Sequence, residues 1–358
     1  MTLAGARINI GPSHQETDMP LHFPRALFAI VAACTFATAA AAELPARFES
    51  GLVYLQVPGE AGDLLLYTDT GGGMFLRQAA VERLRLHTDD APAGLVEELG
   101  PDTRTTPWPE LLTAAGIPAP LQADTSLLVM PTGAAGELPG TRDDDGMLGQ
   151  AWFGSRVWTW DYPGKRLRLE PAGWQAPADA VRVPLQFRTD ARGARENSFP
   201  RITATIDGHP VPLLLDTGAM TVLAPAALAA LDDGLPAQRA TSMISDALFR
   251  AWRQAHPEWR VIEKAQAGTG SAMIEVPSLE LAGQRIGPVW FTHRPDANFH
   301  RFMSGMMAAR VEGALGGNAL GHFVMTVDYP AAAAWFRCVA QCVDAPASAD
   351  ASRSGRDR

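Results

Sequence analysis

Two copies of the tripeptide Asp-Thr-Gly, at residues 69–71 and 216–218, each follow a run of leucines. Two carboxylates held a few ångströms apart share one proton, because like charges at that distance resist double ionisation. The ionised carboxyl then acts as a general base toward water and the protonated one as a general acid toward an amide. Asp69 and Asp216 are therefore candidate catalytic residues for peptide hydrolysis.

The residues around each aspartate have chemical reasons to be there. A glycine after the threonine, Gly71 or Gly218, allows a tight turn with close backbone approach to the carboxylate. The hydroxyls of Thr70 and Thr217 are placed to bond the partner loop and hold the two aspartates in register. The leucine runs predict buried strands that fix where each loop begins.

A second pair of segments shows that the chain is an internal repeat. Residues 146–163 recur as 313–330 at a constant offset of 167, without a gap. Nine positions are identical in the two copies, including Gly149 with Gly316 and Asp161 with Asp328. Each Asp-Thr-Gly precedes its own copy in the same order, which indicates one structural unit used twice.

Length and composition fit two β-rich units. A chain of 358 residues has room for about two domains, and 33 glycines with 28 prolines favour many short strands joined by turns. We expect an N-terminal lobe over 43–172 and a C-terminal lobe over 173–343, with helices at 225–231 and 245–255. The stretch 89–120 is predicted to be mostly irregular.

Charge and N-terminal patterning restrict the partners and the compartment. A net charge of −9 offers no basic stripe for phosphates, so nucleic acid is not an expected partner. Residues 1–42 read as an export signal, with translation from Met19 as an alternative start. We expect a periplasmic or secreted protein; the alternative is a lipoprotein anchored to a membrane through Cys34. The tail 344–358 is predicted to be disordered.

The cysteines and acidic residues give no metal site by spacing. Cys338 and Cys342 remain after export, where an oxidising compartment permits a disulfide; two reduced thiols are the alternative. No second cysteine or histidine pair stands at zinc-ligand spacing. The run 143–145 of three aspartates suggests a solvated acidic turn more than a calcium loop. No cofactor is expected, because water is the nucleophile.

With Asp-Thr-Gly in each half and Met147-Leu148-Gly149 or Ala314-Leu315-Gly316 after it, the chain resembles the pepsin and retropepsin superfamily of aspartic peptidases over most of 48–337. The resemblance implies an all-β, bilobal fold of two β-barrel-like lobes with short helices, acting on a peptide or protein substrate. It assigns catalysis to Asp69 and Asp216. The supporting loop residues would be Thr70, Gly71, Thr217, Gly218 and Ala219, and a glycine-rich flap tip would be formed by Gly268, Thr269 and Gly270.

The match to that family is strong around Asp216 and weaker around Asp69, where Thr68 occupies an apolar position and Gly72 stands where serine or alanine is usual. Gly72 and Ala219 have no hydroxyl to donate to the carboxylates, whereas pepsin-like enzymes often place serine or threonine there. A missing hydrogen bond to the anion raises a carboxyl pKa. We therefore expect activity to extend to mildly acidic or near-neutral pH.

Three functions remain open on the sequence. The first is an exported single-chain aspartic endopeptidase that needs no oligomer, because each lobe supplies one aspartate. In the second, only Asp216 is competent and the enzyme is a homodimer. The third is a non-catalytic peptide-binding envelope protein on the same scaffold.

Overall fold

The computed structural model describes residues 40–121, 126–131, 141 and 144–345. Most of the predicted export signal, Cys34, Asp143 and the tail beyond residue 345 lie outside the described residues. Within the described ranges the chain is mostly β-sheet with few short helices. No helix in these ranges is long and apolar enough to cross a membrane.

Lobe one consists of eleven strands and four short helices among its described residues. The strands are β1 (Ala42–Glu43), β2 (Ala46–Glu49), β3 (Leu52–Val57), β4 (Leu64–Thr68), β5 (Phe75–Arg77), β6 (Asp89–Asp90), β7 (Arg104–Thr106), β8 (Leu127–Met130), β9 (Gly146–Leu148), β10 (Val157–Asp161) and β11 (Arg166–Leu169). The helices are α1 (Gln78–Arg83), α2 (Ala93–Leu99), α3 (Glu110–Ala114) and α4 (Gln150–Phe153).

Lobe two follows a connection, 170–180, that contains neither helix nor strand. Its strands are β12 (Val181–Pro184), β13 (Arg201–Ile206), β14 (His209–Leu215), β15 (Met220–Val222), β16 (Gln238–Ala240), β17 (Ser242–Ser245), β18 (Val261–Ile262), β19 (Met273–Val276), β20 (Leu279–Leu281), β21 (Gln284–Ile286), β22 (Val289–Arg294), β23 (Gly313–Leu315), β24 (Phe323–Asp328), β25 (Ala333–Cys338) and β26 (Val343–Asp344). Its helices are α5 (Pro225–Leu231), α6 (Asp246–Ala255), α7 (Ser304–Met306) and α8 (Gly317–Leu320), with a π-helical segment at Ala297–Met303.

The main sheets of the two lobes share one strand order. In lobe one the order is β3-β4-β9-β5-β8-β7-β6, and in lobe two it is β13-β14-β23-β17-β22-β19-β18. In both, the strand before Asp-Thr-Gly pairs parallel with the strand of the repeated block: β4 with β9 and β14 with β23. The sequence repeat is therefore a repeat of this seven-strand topology, which β2 extends in lobe one and β20, β21 and β26 extend in lobe two. The fold is all-β and bilobal.

A third sheet joins the lobes, in the order β1-β11-β10-β24-β25-β12. At its centre β10 and β24 pair antiparallel, with Thr159 opposite Thr326. These two threonines are also partners in the sequence repeat, and their hydroxyl oxygens lie 2.7 Å apart in a buried hydrogen bond. The approximate two-fold axis relating the lobes therefore passes between them.

The core explains why these segments form strands. Leu213 and Leu215 of β14 are fully buried, as is Leu66 of β4, because the leucine runs lie inside the lobe sheets. Trp152, Trp158 and Trp160 pack in the same core cluster. Large apolar side chains at such positions supply most of the free energy of folding.

The helix predictions in lobe two agree with α5 and α6. Pro225 begins α5 at a position where its missing N–H has no partner to lose. Helix α6 has Ser245 as its N-cap, whose hydroxyl accepts from the Leu248 N–H (3.4 Å), and it buries Phe249 and Trp252.

The expectation of irregular structure over 89–120 is wrong in part. Helices α2 and α3 and strands β6 and β7 occupy much of it. Two features that composition does not show explain the difference. Pro92 and Pro109 are the N-cap residues of α2 and α3. Strand β7 is held between β6 and β8 by tertiary pairing.

Candidate active site

The two Asp-Thr-Gly loops leave their sheets in the same way. The N–H of Asp69 donates to the carbonyl of Leu148 (3.1 Å), and the N–H of Asp216 donates to the carbonyl of Leu315 (3.0 Å). Each bond continues a parallel strand pair by one residue. The repeated block is therefore what fixes the position of each aspartate backbone.

Thr70 and Thr217 bind the two loops to one another. The Thr70 hydroxyl donates to the Leu215 carbonyl (2.7 Å) and accepts from the Thr217 N–H (3.0 Å). In the opposite direction, the Thr70 N–H donates to the Thr217 hydroxyl (3.2 Å). Both threonines are fully buried, so these bonds form without competition from water and set the distance between the loops.

The carboxyl groups of Asp69 and Asp216 meet across the lobe boundary, each lying against the glycine of the opposite loop, close enough to share a hydrogen bond. Because an ionised carboxylate can only accept, this bond requires a proton on one of the two. Burial raises the pKa of both carboxyls; for Asp216 the negative charge of Asp69 raises it further, to well above the usual range. The arrangement holds one proton between two partly buried carboxyl groups.

The glycines of the two loops leave room for the opposite carboxyl. A β-carbon on Gly71 would lie 2.8 Å from Cγ of Asp216, and one on Gly218 would overlap the carboxyl of Asp69. Each glycine N–H also donates to its own aspartate: Gly71 to Asp69 Oδ1 (2.7 Å) and Gly218 to Asp216 Oδ1 (3.0 Å). Both positions require glycine because the carboxyl pair occupies the space of a side chain.

Gly72 and Ala219 differ in why they lack a hydroxyl. A β-carbon on Gly72 would meet the sulfur of Met147 and would lie 2.6 Å from Asp69 Oδ2. Lobe one therefore has no room for a side chain there. In lobe two the Ala219 methyl is buried, and the Ala219 N–H donates a hydrogen bond to Asp216 that lowers its pKa in part.

The carboxyl pair lies at the base of a cleft of about 740 Å³ lined by both lobes. Lobe one contributes Tyr67, Asp69, Phe75, Arg77, Met130, Thr141, Asp144 and Met147. Lobe two contributes Asp216, Gly218, Ala219, Met220, Met243, Gln266, Thr269, Ser271, Arg294, Pro295 and Asn298. Apolar side chains and a few polar groups surround the partly buried carboxyl pair, a composition that is usual for substrate pockets.

The predicted flap tip lies at this cleft. Gly268, Thr269 and Gly270 belong to the connection between β18 and β19, which pair antiparallel, and Thr269 lines the cleft. Gly268 and Gly270 have φ of +77° and +67°, which glycine tolerates best. The base of the connection is tied down, because Ala267 N–H donates to the Val222 carbonyl (2.8 Å).

Tyr67 is a site residue that the sequence motifs did not identify. Its hydroxyl donates to the Gly218 carbonyl (2.6 Å) and so links strand β4 to the opposite loop. Burial, and then the charge of Asp69, raise the pKa of this hydroxyl well above its usual value. Tyr67 thus remains a donor. The clue in the sequence is its place two residues before Asp69.

Arg294 and Gln266 were also missed, because they stand far from either motif in the sequence. Both line the cleft, and their contact with each other is described below. Nothing in the local sequence of β22 distinguishes Arg294 from a surface arginine. Only the pairing of β22 with β17 and β19 brings it to the cleft.

The remaining predicted residues lie elsewhere. Cys338 and Cys342 are joined as a disulfide, and neither lines the cleft. Within the part of the chain that the structure describes, no group of three or more histidine, cysteine, aspartate or glutamate side chains is placed to hold a metal ion. Asp145, from the acidic run, is engaged by Arg83 at 2.5 Å.

Comparisons with known proteins add little to this geometry. No family model matches the chain. No curated protein matches it either. Among solved structures, the chain is similar to the crystal structure of basic 7S globulin from soybean, at 12% sequence identity and a TM-score of 0.42, covering 83% of this chain and 95% of that one. The chemistry of the site therefore rests on its own geometry.

Proposed function

We propose that the protein is an exported, single-chain aspartic endopeptidase of the pepsin and retropepsin superfamily, in which Asp69 and Asp216 activate water together. The observation that carries this proposal is the meeting of the two carboxyls, one from each Asp-Thr-Gly loop, each of which lies against the glycine of the opposite loop. Turn aspartates that merely cap their own loops have no reason to meet across a lobe boundary.

The chemistry needs only the residues at the cleft and one water. The ionised carboxyl removes a proton from water, and the oxygen bonds to the carbonyl carbon of the peptide while the other carboxyl protonates the carbonyl oxygen. The gem-diol intermediate then collapses: the C–N bond breaks, the nitrogen takes the proton that the first carboxyl received from water, and the second carboxylate recovers a proton from a hydroxyl of the intermediate, which restores the singly protonated pair. Thr70, Thr217 and Tyr67 hold the two loops in register for these transfers.

The pKa directions support the pH range expected from the sequence. The pair is active with one proton, so activity rises as the first carboxyl ionises and falls as the second does. Burial raises the pKa of both carboxyls. The rising and falling sides of the pH–rate profile therefore both shift to higher pH than the ordinary carboxyl pKa of about 4 would give. A rate profile that peaks well below pH 3 would contradict this.

The test compares cleavage of a denatured protein by wild type, Asp69→Asn and Asp216→Asn between pH 3 and 8. We expect either substitution to reduce the rate by at least about 100-fold, as loss of a general acid or base does. Asp328→Asn is the matched control. This aspartate lies in the repeat and does not line the cleft, and among the described residues its carboxylate accepts one hydrogen bond, from the Ala331 N–H (2.9 Å).

Mixing the two inactive variants separates the alternatives. Each chain of the proposed enzyme lacks one carboxyl in its only site, so the mixture should stay inactive. Full activity of Asp69→Asn alone would favour a homodimer that uses two copies of Asp216. A folded wild type that cuts no protein at any pH would favour the peptide-binding alternative.

A further inference from the structure

Arg294, the last residue of β22, lines the same cleft as Asp69 and Asp216. It is partly buried, and burial lowers the pKa of its guanidinium to about 10. The side chain therefore remains a cation throughout the pH range in which the carboxyl pair holds one proton. A cation withdrawn from water normally has an anionic partner.

The described part of the chain contains no such partner for Arg294. Among the described residues Arg294 forms no ion pair with any carboxylate; its Nη1 donates to Gln266 Oε1 (2.5 Å) and to the His293 carbonyl (3.4 Å). Asp246, on helix α6, is bound by His293 (2.8 Å) and Arg250 (2.5 Å), and Asp296 accepts from the Ala247 N–H (2.9 Å). On the far wall Asp144 is bound by Arg77 (3.0 Å).

Gln266 holds the arginine in place. Its side chain is 1% exposed, and its Oε1 also accepts from the Thr269 hydroxyl (2.9 Å). Since a guanidinium can only donate, the amide oxygen must face it, and this fixes the orientation of the amide. The Gln266 Nε2 is then buried without an acceptor in the described structure.

Burying an amide group with an unsatisfied donor is costly. An uncharged core residue would avoid this cost, so the polar pair Gln266–Arg294 is poorly explained by packing alone. Preorganisation of the guanidinium accounts for it, because a fixed donor group loses less entropy when it binds an anion.

We propose that Arg294 is a specificity-determining residue that binds a carboxylate of the peptide substrate, oriented by Gln266. This inference rests on the proposed function. The planar guanidinium matches a carboxylate with two parallel hydrogen bonds. The carboxylate belongs either to an acidic side chain or to the C-terminus of the peptide, and the experiment distinguishes these two sources.

The experiment measures binding without cleavage, on the Asp216→Asn background, by fluorescence anisotropy near pH 6. The probes are three pools of labelled eight-residue peptides with apolar residues at the other positions. One pool contains a glutamate and an amidated C-terminus, the second a glutamine and an amidated C-terminus, and the third a glutamine and a free C-terminal carboxylate.

With Arg294 present, we expect one of the carboxylate pools to bind at least about tenfold more tightly than the amide pool, as charge-assisted hydrogen bonds allow. Arg294→Gln should bring this ratio within about twofold of one. Arg77→Gln is the matched control, since it removes the same charge from the same cleft but from an arginine paired with Asp144. It should leave the ratio high.

Three results would overturn the inference: equal binding of all three pools with Arg294 present, an unchanged ratio in Arg294→Gln, or an equal fall in both arginine variants. The last would indicate a general electrostatic field instead of a binding residue. The two proposals fail separately. Wild-type cleavage without a carboxylate preference rejects only the role of Arg294, and carboxylate-selective binding without cleavage rejects only the peptidase.

Discussion

Asp216 retains its proton to a higher pH than an exposed aspartate would. Burial and, after it, the charge of Asp69 raise the folded-state pKa of Asp216 well above the usual value. In the unfolded chain the pKa of this carboxyl is about 3.9. The folded state therefore binds more protons than the unfolded state above that pH. The stabilising contribution of Asp216 is complete below its unfolded-state pKa of about 3.9. It is lost as the pH rises through the folded-state pKa.

We therefore predict that Asp216→Asn stabilises the protein at neutral pH while it abolishes catalysis. Asparagine keeps an oxygen for the Gly218 N–H bond but carries no charge to bury. The melting temperature of the variant should exceed that of wild type at pH 7 by about 2 °C for each kcal/mol relieved, and should equal it near pH 3. Calorimetry at both pH values measures the difference.

Asp161→Asn is the control, because we expect its effect on the melting temperature at pH 7 to have the opposite sign. Burial alone would raise the pKa of Asp161, but the Arg166 guanidinium (2.7 Å) and the Gly164 N–H (2.8 Å) outweigh burial and lower it. This substitution should destabilise at pH 7, with a deficit that shrinks as the pH falls through the folded pKa. If both variants change the melting temperature alike at every pH, the linkage argument is wrong.

At the scale of elements, each loop is held by the parallel strand pair behind it and by the hydroxyl of a threonine from the opposite loop. The two threonines are not equivalent. The Thr70 hydroxyl makes two bonds, to the Leu215 carbonyl and from the Thr217 N–H, whereas the Thr217 hydroxyl accepts one, from Thr70 N–H. The loop of lobe two therefore depends more on Thr70 than the loop of lobe one depends on Thr217.

Thr70→Val should cost about 2–4 kcal/mol in the free energy of unfolding, because it leaves two buried polar groups unpaired, and should lower peptidase activity with it. Thr217→Val should cost about half as much. Urea denaturation of both variants measures the asymmetry. Thr70→Ser retains the hydroxyl and serves as the control; a loss equal to that of valine would mean that the methyl group, not the hydroxyl, matters.

At the scale of the whole molecule, the lobes are joined where the two repeats meet, at β10 and β24. The Thr159 and Thr326 hydroxyls bond only to each other among the contacts of the described chain. Removing one partner of a buried hydrogen bond costs more than replacing both by apolar groups. The coupling free energy of this pair therefore measures how much the hydrogen bond between the hydroxyls stabilises the lobe junction.

We predict that Thr159→Val and Thr326→Val each destabilise the protein by about 1–3 kcal/mol, and that the double variant loses no more than either single one. A double-mutant cycle by urea denaturation gives the coupling energy. Additive losses would mean that each hydroxyl has another partner and that the two-fold contact is incidental.

The sequence by itself determined the repeat and, with it, much of the architecture. The 167-residue offset placed both Asp-Thr-Gly loops before equivalent blocks, and the structure gives both halves the same strand order. Local pattern is sufficient here because buried leucine runs, turn glycines and caps such as Ser245 act over a few residues.

What lay beyond the sequence depends on contacts between distant segments. The helices at 93–99 and 110–114 form in a stretch whose composition indicated loops. Gly72 is required because Met147 occupies the space of its side chain. Arg294 reaches the cleft only through strand pairing, and Tyr67 meets Gly218 from the other lobe. Tertiary packing decided all of these, because burial, charge pairing and hydrogen-bond distance are properties of neighbours in space, which sequence spacing does not encode.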